Sequence, residues 1–243
     1  MRHRSHIAYI LLIILTYSLL IVAFLTQHST RDPLVAQRGR ALVICLFELG
    51  FVSIIVPWSL SKDTEQGRSR NHWKNAVWRT AVLLVASTAG ALIASEGSVG
   101  WALRKTITAQ GVAASFALLI AGLWCLLFGI SRRTVVAQIG SSVLGGLMIS
   151  TLFWSPVVLE LMRTGLAKRI AIDLLVYFNP TMTVAGSIFK WDITTMPIAY
   201  RIALIGPSYQ FRYFSALSVA VTYAILGGGM ILICRTFNMK RNA

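Results

Sequence analysis

The raw material of catalysis is scarce in this chain. It has only 3 cysteines. They are Cys45, Cys125 and Cys234, each within an apolar run, and no C-x-x-C pair exists. Neither a disulfide framework nor a zinc site is indicated, and the three read as small packing residues. The 4 histidines, His3, His6, His28 and His72, all lie in polar segments. There is no H-E-x-x-H and no paired-glutamate motif on an apolar run. None of the many serines stands in G-x-S-x-G, and no apolar run carries a histidine to act as base, so serine and threonine read as local hydrogen-bonders within helices. G-x-x-x-x-G-K-[ST] is also missing, so any ATP that powers this protein must bind on another polypeptide. The expectation is a chain that is not an enzyme and takes no cofactor and no metal.

What the chain has in abundance is apolar residues. They make up 56% of 243 positions, with a mean hydropathy of +0.69, which is more than a soluble domain carries. About 20 apolar residues, rising 1.5 Å each, cross a hydrocarbon core roughly 30 Å thick. Six runs meet that length: Ile7–Thr26, Ala41–Leu60, Val77–Ser95, Gln110–Ile130, Val135–Leu159 and Phe214–Cys234. Their even apolar composition predicts helices rather than barrel strands, because backbone groups in lipid must be satisfied within the segment. The first run follows a basic start, Met1-Arg2-His3-Arg4. It is too long for a signal-peptide core and no small-x-small cleavage site follows, so it is expected to be a retained span. The whole chain reads as one all-α integral membrane domain.

The net charge is +15. The basic residues sit between and beside apolar runs, which assigns them to topology and to anionic lipid headgroups rather than to nucleic acid. With the N-terminus inside, Arg2, Arg4, Lys62, Arg68, Arg70, Lys74, Arg79, Arg132, Arg133, Arg235, Lys240 and Arg241 all fall on short cytoplasmic segments. Both termini are therefore expected in the cytoplasm. Arg31, Arg38 and Arg40 run against this trend by making the first outer loop basic.

Between the last two spans lies a semi-apolar run, 170–189, interrupted by Asp173 and by Asn179-Pro180. Proline lacks a backbone donor and disfavours helix at the residue before it. Each half is too short to cross the bilayer, and a re-entrant or interfacial hairpin buried against protein is expected. Small residues recur in the spans: Ser87, Gly90 and Ala91, then Gly140, Gly145 and Gly146, then Gly227-Gly228-Gly229. They fit close helix approach either within one bundle or at a dimer interface.

Two polar features stand out. Glu48 is the one acidic residue well inside a span, and it should face the bundle interior or a water-filled cavity, either lining a path or packing helices. The stretch Ser61–Lys74 contains Asp63, Glu65, Arg68, Arg70, Trp73 and Lys74 and precedes Trp78. It suits first a short helix on the membrane surface and second a docking surface for a soluble partner.

Three stretches carry a family resemblance. Arg38-Gly39-Arg40 through Pro57 to Lys62-Asp63-Thr64-Glu65-Gln66-Gly67 resembles the second span and following acidic segment of the permease subunits of ABC-type export systems, the type 2 exporter superfamily. Gly129-Ile130-Ser131-Arg132-Arg133-Thr134, with Ala137, is similar to the short basic turn between that family's fourth and fifth spans. Tyr177-Phe178-Asn179-Pro180 looks like the asparagine-proline motif of its last outer segment. The segment after Gly67 is shorter than the family's usual one. The resemblance implies six spans with a cytoplasmic coupling helix between spans two and three and a broken hairpin before span six. It implies a permease working as a homodimer or heterodimer with separate cytoplasmic ATP-binding subunits, in a bacterial cytoplasmic membrane. A non-transporting assembly or scaffold subunit is the alternative, with a membrane-embedded enzyme behind it.

Overall fold

The structure is a computed structural model, and it describes residues 33–65, 72–94, 99–151, 166–190 and 213–241. The expected first span, Ile7–Thr26, lies outside the described residues, as do 66–71, 152–165 and 191–212.

All regular structure among the described residues is helical: α1 (Pro33–Glu65), α2 (His72–Ala94), α3 (Val99–Ser131), α4 (Thr134–Ile149), α5 (Leu166–Tyr177), the single turn α6 (Pro180–Met182) running on as a π-helix (Thr183–Phe189), and α7 (Ala216–Arg241). Four stretches are long and apolar enough to span a membrane: Ala41–Lys62 in α1, Ala76–Ile93 in α2, Leu103–Ser131 in α3 and Ala216–Cys234 in α7. The bent pair Arg169–Tyr177 and Pro180–Phe189 makes a fifth if its halves are taken as one span. The described residues thus hold four spans, or five with the bent pair; of the six that the sequence predicts, the first lies outside them and the fifth lies partly outside them.

α1 is the hub. Of its apolar stretch 61% is buried, against 17% for α7. It packs against α2, α3 and α4, while α7 docks on α3. Paired residues fix the directions. Glu48 meets Gln110 and Ser61 meets Trp124, so α1 and α3 run parallel. Ser61 also meets Thr134 and Ser53 lies against Gly145, so α4 runs antiparallel to α1. Phe116 pairs with Tyr223 and Gly122 with Gly227, so α7 is parallel to α3. The end of α1, the Arg132-Arg133 turn between α3 and α4, and the C-terminal end of α7 therefore share one end of the bundle.

In lipid the hydrophobic effect does not pull helices together, so close packing and polar contacts must. The α3–α7 seam shows how close. A Cβ on Gly227 would lie 2.5 Å from the Leu118 carbonyl oxygen, and one on Gly122 would lie 2.7 Å from that of Gly227. Only glycine admits backbone to backbone here.

The sequence predicts a span over 135–159, of which 152–159 lie outside the described residues. Within them the helix runs over Thr134–Ile149, Ser150 is in a turn and Thr151 is helical again. At this turn the Ile149 carbonyl accepts from Asn179 Nδ2 at 3.4 Å and Thr181 Oγ1 at 3.3 Å.

Candidate functional site

Three places collect polar side chains inside the bundle or at its end. The first is a cluster joining α1, α2 and α3. Glu48 is fully buried. Gln110 Nε2 donates to Glu48 Oε2 at 2.8 Å and to Ser87 Oγ at 2.9 Å, and Ser87 in turn donates to the Leu84 carbonyl at 3.0 Å. One amide thus spends both protons tying two other helices together. Glu48 Oε1 and Gln110 Oε1 have no hydrogen-bond partner, and neither has the buried Thr106 hydroxyl one turn away on α3.

The second is the break between α5 and α6. The two halves are bent by 77°. Asn179 caps the new helix: its Oδ1 accepts from Thr181 N at 2.8 Å and Met182 N at 3.2 Å, and Pro180 occupies the first helical position. Asparagine at the cap followed by proline is a local start signal that needs no tertiary help. The π-helix beyond is almost wholly buried and touches α1, α3 and α7. It closes at Lys190, which takes a left-handed conformation at φ 57°. Lys105 of α3 donates to the Ile188 carbonyl near that end. At the other end of the break Tyr177 Oη lies 2.6 Å from Thr222 Oγ1 of α7 and packs edge-on against Phe214.

The third lies at the shared end of the bundle. Trp58 is flanked by the Lys62 ammonium at 4.9 Å and the Arg79 guanidinium at 5.4 Å, joining the end of α1 to the start of α2 by cation–π attraction. Trp124 Nε1 donates to Ser61 Oγ at 2.8 Å, Ser61 donates on to the Thr134 carbonyl at 3.3 Å, and Trp124 stacks on Phe128. Arg132 and Arg133 are exposed between them.

The residues singled out in the sequence fall unequally on this frame. Glu48 sits in the first cluster, and Asn179 and Pro180 in the break. Asp63 and Glu65 belong to the last turns of α1, and Trp73 and Lys74 to the first turn of α2. Arg68 and Arg70 lie outside the described residues. Sequence reading did not mark Gln110, Trp58, Ser61 or Trp124 as partners in these clusters. Gln110 carried a signal, being the polar residue that opens an apolar run. Among the described residues no three His, Cys, Asp or Glu side chains gather as a metal site, and the three cysteines are free thiols.

Long apolar helices, a bent half-helix pair with its second half buried, and polar contacts at helix seams define a multi-pass, all-α membrane protein. No protein-family model matches the chain, and no curated protein or solved structure matches it either.

Proposed function

We propose that this chain is the membrane-spanning permease subunit of an ATP-driven, ABC-type exporter, paired with a second permease copy and with separate cytoplasmic ATPase subunits. The observation that carries the reading is the break at Asn179-Pro180. It is bent by 77°, its second half is buried against α1, α3 and α7, and it is set ahead of the last span, where the family resemblance calls for a broken hairpin. The resemblance also makes the α1–α2 connection the coupling element. Its root is braced through Ser61, Trp124 and Trp58, so a push on it would reach α3 and α4 as well as α1. Asp63, Glu65, Arg68, Arg70, Trp73 and Lys74 are then the docking residues, and the basic end of the bundle is cytoplasmic. ATP acts by binding one arrangement of the assembly better than another. The chain itself performs no chemistry in this scheme.

Purification from its native membrane in mild detergent tests the reading. A P-loop ATPase should co-purify in stoichiometric amount, and the permease freed of that partner should hydrolyse no ATP. Recovery of the chain without any ATPase, or ATP hydrolysis by the chain alone, would refute it.

A further inference from the structure

The buried cluster of Glu48, Gln110 and Ser87 is incomplete as it stands, and the way it is incomplete points to a ligand. Buried polar atoms nearly always have partners, and an orphan calls for an explanation such as strain, chemistry or an ion. Here all three orphans are oxygens with free lone pairs. Gln110 commits both amide protons, one to Glu48 Oε2 and one to Ser87 Oγ. That leaves its carbonyl Oε1, a pure acceptor, unpartnered beside the carboxyl that the same amide bonds. Glu48 Oε1 is unpartnered too, on a side chain with 0% exposure. Thr106 lies four residues before Gln110, on the same face of α3. It is also 0% exposed, and its hydroxyl has no partner.

Two acceptor oxygens and a hydroxyl from two helices, enclosed in protein within a membrane, are hard donors of the kind that replace water around a cation. Charge selects the valence. On giving up its proton to an entering cation Glu48 would supply one negative charge, and among the described residues no lysine or arginine pairs with it. A monovalent ion would leave the site neutral, while a divalent one would leave an uncompensated positive charge in the bilayer. We infer that Glu48, Gln110 and Thr106 form a binding site for a monovalent alkali-metal cation, such as sodium, on the α1–α3 seam, with Ser87 holding the Gln110 amide in place. An ion there binds the packed arrangement of α1 and α3 and not the separated one, so it stabilises the bundle.

The test uses the full chain in nanodiscs, with thermal unfolding followed at one pH and one ionic strength in sodium, potassium or choline chloride. Saturating sodium should raise the wild-type midpoint by about 3 °C over choline, and Glu48→Gln should abolish the rise. Should Glu48→Gln fail to fold, Thr106→Val decides the matter, since it leaves the Glu48–Gln110 bond intact. A several-fold weaker sodium dependence in Thr106→Val supports the site, and an unchanged one overturns it. Retention of radioactive sodium by the wild-type protein, competed by unlabelled sodium, gives an independent reading. A wild-type midpoint identical in all three salts, as a bridging water or a proton would produce, overturns the inference.

Discussion

At Asn179 a single side chain serves two helices. Its Oδ1 takes the first free amides of α6, and its Nδ2 reaches 3.4 Å to the last carbonyl of α4. Asn179→Ala removes both functions and should cost about 1–2 kcal/mol. Asn179→Ser keeps a capping oxygen but lacks the reach and the amide donor, and should cost less. Thermal unfolding in one detergent checks the order, which is alanine below serine below wild type. Half of this was legible beforehand. A cap followed by proline is written in adjacent letters, because the groups it satisfies are its own neighbours. The other half was not, because Ile149 lies 30 residues away and nothing local marks its carbonyl as the one to be captured. Glu48 divides the same way. Its depth in an apolar run was plain, but its partners Gln110 and Ser87 come from two other helices whose rotation only packing decides.

Elements were easier to read than their seams. An apolar run of 20 residues must be helical in lipid, so α1, α2, α3 and α7 follow from composition. The turn at Ser150 does not follow, since apolar residues flank it and the Asn179 and Thr181 side chains that reach the Ile149 carbonyl come from far along the chain. Nor does composition say which glycine of Gly227-Gly228-Gly229 meets a neighbour. The structure seats Gly227 on α3 and leaves nothing within 4 Å of a Cβ on Gly228. Gly227→Ala therefore forces α3 and α7 apart and should cost about 1–3 kcal/mol. Gly228→Ala is the matched control, and a gain in helix propensity should leave it neutral or slightly better. Denaturation in a lipid-detergent mixture measures both. Equal losses at the two positions would mean that the seam is not where the stability lies.

At the scale of the molecule, the pairing of helices decides which connections lie together, and charge then decides which side they face. The parallel run of α1, α3 and α7 brings the α1–α2 connection, the Arg132-Arg133 turn and the basic C-terminus to one end. Lys62, Arg79, Arg132, Arg133 and Arg241 lie there. Short basic segments are retained in the cytoplasm, so that end is expected inside. The opposite end also carries bases, Arg104, Lys105 and Lys190 among them, so charge counting alone separates the ends less cleanly than the geometry does. Single cysteines placed at positions 70, 133 and 240, in a background lacking Cys45, Cys125 and Cys234, should resist a membrane-impermeant thiol reagent in intact cells and react once the membrane is opened. A cysteine at position 100, where Gly100 is exposed near the start of α3, should react without opening. Since the end of α1, the Arg132-Arg133 turn and the C-terminal end of α7 share one end, positions 70, 133 and 240 must behave alike, and a split among them would contradict the helix directions themselves. Uniform labelling of all three from outside would keep the fold and invert it. That outcome would remove the ATPase from the scheme, because a soluble cytoplasmic motor would then have no access to the Lys62–Lys74 segment on which the proposed coupling depends.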